Sequence, residues 1–166
     1  MTKSEHYHGF ELGPIRPPSE ANSLLLRITR NCPWNKCKFC GLYKNAKFSI
    51  RPANHVKQDI DRIRHFVDKI SKAVLDSTIT HQSLTALQSG LSSGDQMAFH
   101  TALTWIRGGM KSIFLQDANT LVIKPDDLIA ILDHARQVFP QVERITSYAR
   151  SHSIARISDE DMSRLA

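Results

Sequence analysis

Apolar residues recur along this chain at two spacings, and together these predict an alternation of strands and helices. Short apolar runs at residues 23–29, 112–115 and 142–148 predict three buried strands. Between and after them, apolar side chains return every three or four residues, which is the spacing of one helix face. The order strand, helix, strand, helix, strand, helix favours parallel βα units joined by right-handed crossovers.

Five helices are predicted between and after these strands, and capping residues, prolines and glycines mark their limits. The predicted landmarks are Asn54 as the cap of the first helix, Ser83–Gln88 for the second, Gly108-Gly109 as the end of the third, Pro125 in the first turn of the fourth, and Ser158 as the cap of the fifth. The apolar positions of the third helix are Met97, Ala98, Ala102, Leu103 and Ile106.

The organisation predicted along the chain is a short arm followed by one α/β domain. Residues 1–22 contain Pro14, Pro17 and Pro18 and show no apolar periodicity, which predicts an extended N-terminal arm. Residues 23–166 hold the three predicted βα units, whereas a complete βα barrel has about eight. We therefore expect the front, truncated part of a longer barrel protein, and a complete small open sheet is the alternative.

Composition and charge narrow the class of protein. The 166 residues are 41% hydrophobic and 23% charged, as in ordinary globular domains. The chain has no apolar run of membrane-spanning length, and its N-terminus lacks the apolar stretch of a signal peptide, so we expect no membrane partner and a reduced, cytoplasmic compartment. The formal charge is +6, but the 22 Lys and Arg residues are scattered singly, and we do not expect a nucleic-acid partner.

The three cysteines of the chain, Cys32, Cys37 and Cys40, fall close together directly after the first predicted strand. Thiolates so close in sequence are typical ligands of a soft metal ion or cluster, and three are one fewer than a closed tetrahedral site needs. The bound metal would therefore keep one position open. Structural zinc with His55 as the fourth ligand is the alternative, in a binding module for which the positive charge makes RNA a candidate ligand.

Polar residues also follow the second and third predicted strands. Gln116, Asp117 and Asn119 come directly after the second strand, and Ser147 and Arg150 lie at the end of the third. In parallel α/β folds the loops after the strands open on the carboxyl edge of the sheet, where ligands bind. The sequence thus predicts that these side chains and the cysteines share one site.

The residues from Cys32 to Lys44 resemble a subset of the radical S-adenosylmethionine (radical SAM) superfamily, written Cys-x-Trp-Asn-x-Cys-x-Phe-Cys-Gly-x-Tyr-Lys. Residues 114–121 and 144–150 resemble the second-strand and third-strand motifs of that superfamily. Four residues separate the first two cysteines where the superfamily usually has three, and the subset shares this longer loop. The resemblance implies a partial (βα) TIM-like barrel of the radical SAM type, with an inserted helical segment between the first two strands.

The same resemblance implies an iron-sulfur enzyme in which Cys32, Cys37 and Cys40 hold a 4Fe-4S cluster with one iron free of protein ligands. In this superfamily, S-adenosyl-L-methionine chelates that iron, and an electron from the cluster cleaves it to methionine and a 5′-deoxyadenosyl radical. The radical abstracts hydrogen from a substrate, which the resemblance does not identify. An electron donor such as a flavodoxin or ferredoxin is implied as a partner.

The residues predicted to bind the cofactor are Phe39, Gln116, Asp117, Asn119, Ser147 and Arg150, of which Phe39 and Asn119 match family positions and the others follow from their place at the strand ends. Phe39 occupies the aromatic position that lies beside the adenine in the family. Asn119 stands where many members have the glutamate of a Gly-Gly-Glu segment that meets the amino group of the cofactor. An amide oxygen can still accept that hydrogen bond, although without the charge. Arg150 is assigned to the carboxylate of the cofactor.

Overall fold

The computed structural model describes residues 5–76 and 81–165 and has a three-stranded parallel sheet at its centre. The strands in chain order are β1 (Leu24–Arg27), β2 (Thr29–Arg30), β3 (Ser49–Ile50), β4 (Ser112–Gln116) and β5 (Arg144–Ser147). The parallel sheet has the order β1-β4-β5, and β2 and β3 form a separate antiparallel pair. The predicted α/β class with parallel strands is therefore confirmed.

Strand register places the ends of the three parallel strands side by side. Arg27, the last residue of β1, is level with Gln116, and Ser147 of β5 is level with Leu115. The first predicted strand is divided at Ile28, whose backbone N–H donates to the carbonyl of Gln116 while its carbonyl accepts from Arg51. The chain therefore leaves the parallel sheet at this residue and pairs with β3 instead.

Six α-helices surround the sheet in the described part of the chain. They are α1 (Ala53–Asp76), α2 (His81–Gln88), α3 (Ser93–Arg107), α4 (Pro125–Val138), α5 (Ser151–Ile154) and α6 (Asp159–Leu165). Gly108 caps the end of α3, Pro125 begins α4, and the Ser158 hydroxyl accepts from the backbone N–H of Asp161, as predicted. The prediction for Asn54 is wrong, because α1 begins at Ala53 and Asn54 lies in its first turn. No helix among the described residues is long and apolar enough to cross a membrane.

Helix α1 supplies one side of the core and packs against α3, α4 and β1. The predicted positions Val56, Ile60, Ile63, Val67 and Ile70, which recur every three or four residues, are buried, and Phe66 is buried beside them. Phe66 meets Phe99 of α3 edge to face, with 5.8 Å between the ring centroids. Burial of this apolar face holds the helix to the sheet, since helix propensity alone contributes little.

Helix α3 buries a face that is partly different from the predicted one. Phe99 and Trp105 are buried together with Ala98 and Ala102, whereas Met97 is exposed. The Trp105 ring lies edge to face against Phe139, and its indole N–H donates to the carbonyl of Ser112 at 2.9 Å. The face with Phe99 and Trp105 is the buried one because burying these two large aromatic side chains removes the most apolar area from water.

The N-terminal arm lies against the domain over residues 5–22. It contains no regular element in this range except a 3-10 turn at Pro18–Glu20. Phe10 is buried in the main core, and the buried Glu20 carboxylate accepts hydrogen bonds from the hydroxyls of Ser23 and Thr146. The arm thus reaches across from β1 to β5.

Replacing a core residue of α1 tests this packing. Ile70→Ala removes a fully buried side chain and is expected to lower the free energy of unfolding by about 2–5 kcal/mol. Lys69→Ala, one position earlier on the exposed face, is the control and should change it by no more than about 0.5 kcal/mol. Urea unfolding of both variants measures the difference. Equal, small losses would contradict the assigned helix face.

Candidate functional site

The cysteines lie in the loop between β2 and β3, residues 31–48. All three thiols are half-buried, and none forms a disulfide. The chain turns sharply here, with left-handed backbone at Asn31, Asn35 and Asn45, a conformation that asparagine tolerates better than most residues. The backbone N–H of Asn35 donates to the Cys32 sulfur at 3.5 Å. This loop is therefore folded back on its first cysteine.

Tyr43 anchors the cysteine loop from below. Its side chain is 2% exposed, and its carbonyl accepts a hydrogen bond from the Asn35 side chain at 2.5 Å. Burial and the negative charge of Asp117 raise the pKa of the Tyr43 hydroxyl, which stays protonated at neutral pH. The loop is thus fixed at the buried Tyr43, while its three cysteines are only half-buried.

The loop after β4 touches the beginning of the cysteine loop. One oxygen of the buried Asp117 carboxylate accepts from the backbone N–H of Asn31 at 3.0 Å. The same oxygen accepts from Nε and Nη2 of Arg27 at 3.0 and 2.9 Å. Asn31 directly precedes Cys32, so Asp117 fixes the point at which the cysteine loop starts.

The loops after β4 and β5 also contact each other. Asn119 is 2% exposed, and its side-chain oxygen accepts from the backbone N–H of Arg150 at 3.3 Å. Its side-chain nitrogen donates to the Ser153 hydroxyl at 2.8 Å. In addition, the backbone N–H of Thr120 donates to the carbonyl of Tyr148. The loops after β4 and β5 are therefore held together by hydrogen bonds.

A cation–π contact joins the loop after β5 to the cysteine loop. The guanidinium carbon of Arg150 lies 4.1 Å from the centroid of the ring of Trp34, a residue between Cys32 and Cys37 in the sequence. Trp34 is 44% exposed, so this contact lies at the surface of the site. With it, each of the three loops touches the other two, and the predicted convergence on one edge is present.

The predicted site residues differ in whether their side chains already have hydrogen-bond partners within the protein or are exposed. The Gln116 amide is hydrogen-bonded to the backbone of Gly13 and Ile15 in the arm. The Ser147 hydroxyl donates to the carbonyl of Tyr148. The Phe39 ring is 92% exposed, so its faces are open to a ligand. No observation tests the cofactor contacts predicted for these side chains, and they stay predictions.

The chemistry of the three thiols fits a soft metal or cluster, but the side chains are not gathered around one point. Within residues 5–76 and 81–165, no group of three or more histidine, cysteine, aspartate or glutamate side chains is placed to hold a metal ion. Binding through all three thiols therefore requires them to converge. His55, the fourth ligand of the zinc hypothesis, is buried and packs edge to face on Tyr7, with 5.5 Å between the ring centroids.

The arm adds charged groups next to the site that the sequence pattern did not predict. Glu11 accepts hydrogen bonds from Arg30 at 2.6 and 2.8 Å and lies 3.3 Å from Arg51 and 3.6 Å from Arg27. An arginine at position 27, inside an apolar strand, was the signal that a buried or half-buried acidic partner must exist. Arg27 now links Glu11 of the arm to Asp117 of the site.

No protein-family model, curated protein or solved structure matches this chain.

The pH dependence of stability tests the role of Glu11. Burial opposes its ionisation, but the Arg30 hydrogen bonds and the charges of Arg51, Arg30 and Arg27 outweigh burial and hold the pKa of Glu11 below its ordinary value of 4.5. Because the pKa of Glu11 is lower in the folded than in the unfolded state, its ionised carboxylate stabilises the fold fully at pH values above the unfolded-state pKa. This stabilisation is lost as the pH falls through the folded-state pKa. We expect Glu11→Gln to cost about 1 kcal/mol above pH 4.5 and progressively less below it.

Urea unfolding of both proteins from about pH 6 down to about pH 3 measures this difference. Glu143→Gln, which removes an exposed carboxylate paired with Lys111, is the control and should leave stability near that of the parent throughout. A Glu11→Gln penalty that grows as pH falls would contradict the assigned sign.

Proposed function

We propose that this chain is the front part of a radical SAM enzyme and that Cys32, Cys37 and Cys40 hold a 4Fe-4S cluster. The observation that supports it is the position of the cysteine loop at the carboxyl edge of a parallel sheet. There it contacts the loops after both other strands, through Asp117 and through Arg150. Ligand sites of parallel α/β folds lie at this edge.

The surroundings of the thiols suit metal-bound thiolates. The Asn35 N–H donates to the Cys32 sulfur, and a metal-bound thiolate at this position would keep that hydrogen bond. Lys36, Lys38 and Lys44 are exposed in the same loop and offset negative charge there. When bound, the cluster supplies the electron that cleaves S-adenosyl-L-methionine, with three cysteines leaving one iron open to that cofactor.

Three side chains around the loop are proposed to bind the cofactor. The Arg150 guanidinium, which lies on the Trp34 ring, would pair with the carboxylate. The Asn119 oxygen has a second lone pair besides the one that accepts from Arg150, and it would accept from the amino group. The exposed Phe39 ring would lie against the adenine. Ser147 is half-buried at the same edge, whereas Gln116 and Asp117 are buried and act there through the backbone that they hold.

The unpaired side of strand β5 supports the part of the proposal that concerns a larger barrel. Among the described strands, β5 pairs only with β4, which leaves its other edge without a partner. A cleft of about 720 Å³ runs beside it, and its lining includes the apolar residues Leu121, Leu128, Ile145 and Ile154. A further βα unit placed here would continue the parallel sheet and cover these side chains.

Metal uptake by cysteine variants tests the proposed cluster. After anaerobic reconstitution with iron and sulfide, the parent should hold about four iron atoms per chain. Cys32→Ala, Cys37→Ala and Cys40→Ala should each lose most of this iron, because each removes one of the three ligands. Lys47→Ala, an exposed residue of the same loop outside the cysteine motif, is the control and should retain it.

The same metal analysis separates the proposal from structural zinc. Zinc bound at about one atom per chain, with no iron, would overturn the cluster assignment in favour of a structural site. Iron retained at parental level in Cys37→Ala would likewise contradict the assigned ligands.

Affinity for S-adenosyl-L-methionine tests the role of Arg150. In the reconstituted protein, Arg150→Ala should weaken binding by about tenfold or more, because a charge-assisted pair with the carboxylate is lost, while the iron content stays unchanged. Arg156→Ala, an exposed arginine six positions later, is the control and should bind as the parent does. Isothermal titration calorimetry under anaerobic conditions measures both. Unchanged affinity would exclude Arg150 from carboxylate binding, and loss of iron would make it a structural residue.

A further inference from the structure

We infer that the N-terminal arm is part of the candidate site, because Gly13 positions Asp117 and Asp117 positions the cysteine loop. This inference deepens the proposed function and rests on it where it concerns the cluster. The contact chain itself, from Gly13 to Asp117 to Asn31, is independent of any bound group. Each link in it is a close contact between buried or half-buried atoms.

The first link ties the arm to the end of β4. The Gln116 side-chain oxygen accepts from the backbone N–H of Gly13 at 2.9 Å, and its nitrogen donates to the Gly13 carbonyl at 3.2 Å and to the Ile15 carbonyl. Gln116 is fully buried, so these bonds replace hydration that the amide has lost. The arm backbone is thereby held directly beside Asp117.

The second link is the space at Gly13. A Cβ atom built on Gly13 would lie 1.9 Å from one carboxylate oxygen of Asp117 and 2.8 Å from its Cγ. Non-bonded carbon and oxygen atoms do not approach so closely, and Asp117 is too buried and too strongly bonded to move freely. Only glycine therefore allows the arm and the carboxylate to hold their present positions together.

The third link runs from Asp117 into the cysteine loop. Its other oxygen accepts from the Asn31 N–H at 3.0 Å, and Asn31 has a φ of 66°. The Asn31 side chain in turn donates to the Lys47 carbonyl at 2.7 Å, which joins the two ends of the loop. A displaced carboxylate would release both the left-handed turn at Asn31 and the position of Cys32, the next residue.

These contacts make Asp117 a positioning residue. One of its oxygens already accepts from three donors on Arg27 and Asn31, and the other lies against Gly13. Its charge is balanced by Arg27 at 2.9 Å. The oxygen beside Gly13 has no hydrogen-bond partner among the described residues but is buried, so the carboxylate acts on the site through the loop that its other oxygen holds.

The test compares four variants of the chain by three measurements. The variants are Gly13→Ala, Asp117→Ala, the double variant Gly13→Ala/Asp117→Ala and Asp117→Asn. Gly94→Ala is the control, since its Cβ would meet the same arm at an ordinary van der Waals distance of 3.5 Å without touching Asp117. The measurements are amide hydrogen exchange at Asn31, alkylation of Cys32 followed by mass spectrometry, and the EPR spectrum of the reconstituted, reduced cluster. Circular dichroism verifies that each variant is folded.

We expect Gly13→Ala and Asp117→Ala each to accelerate exchange at Asn31 by about tenfold or more, since each removes a hydrogen bond to a charged acceptor. Alkylation of Cys32 should accelerate in the same variants, and their EPR spectra should differ from that of the parent. The double variant should match Asp117→Ala alone, because the alanine at position 117 removes the clash. Asp117→Asn keeps an oxygen acceptor and should restore slow exchange.

Two results would overturn the inference, and neither is the failure of the proposed function. Parental exchange at Asn31 in Gly13→Ala would show that the arm does not position the loop. If the accelerations of exchange caused by Gly13→Ala and Asp117→Ala add up in the double variant, the two residues act independently of each other. If the parent itself takes up no iron, the proposed cluster fails, while the exchange and alkylation results still decide whether Gly13 and Asp117 position the loop.

Discussion

Parallel pairing of β1, β4 and β5 sends the chain out of all three strands at the same edge, and every proposed contact depends on this constraint. The register brings Arg27 level with Gln116, so the residues that follow these strands start from neighbouring positions. Asp117 can then reach Asn31, and Asn119 can reach the backbone of Arg150. An antiparallel sheet would have separated the same segments to opposite edges.

Beneath this edge, buried charges tie the arm to the rest of the fold. Arg51 and Asp59 are both fully buried and lie 2.6 Å apart, and the Tyr7 hydroxyl of the arm donates to the same carboxylate. Burial raises the pKa of Asp59 despite this pairing, and Glu11 adds a second carboxylate beside Arg51. Removing one partner of such a pair typically costs about 3–5 kcal/mol, because a buried charge is left alone. The arm is thus a structural part of the domain, because it adds the Tyr7 hydroxyl and the Glu11 carboxylate to this buried charge cluster.

The three parallel strands and five of the helices could be predicted because apolar spacing and capping act over short range, and the grouping of the loops follows from the parallel strand order. The β2–β3 pair and the short helix α5 were not predicted. Apolar periodicity located α1, and Pro125 and Ser158 marked helix starts, since each acts within one turn. Asn54 was misplaced because α1 starts after Pro52, whose carbonyl accepts from the N–H groups of His55 and Val56, and a sequence pattern locates a helix start only to within one or two residues. In α3, Phe99 and Trp105 rather than Met97 face the core, a choice set by partners on other elements.

The partners of Gln116 and Asp117 could not be predicted because they are far away in the sequence. Gly13 lies 103 residues before Gln116, in a segment with no periodic pattern to place it. A polar residue after a strand favours a ligand-binding role unless another part of the chain satisfies it first. Here the arm does so for Gln116, and Arg27 and Asn31 do so for one of the two oxygens of Asp117.

The central claim is that the cysteine loop holds a cluster with one iron open to S-adenosyl-L-methionine at the shared edge of three loops. The most direct measurement is the EPR spectrum of the anaerobically reconstituted and reduced protein, recorded with and without S-adenosyl-L-methionine. The account predicts a 4Fe-4S signal whose shape changes when the cofactor is added, since the cofactor becomes a ligand of the open iron. A cluster signal that the cofactor leaves unchanged, or a protein that takes up zinc and no iron, would contradict it.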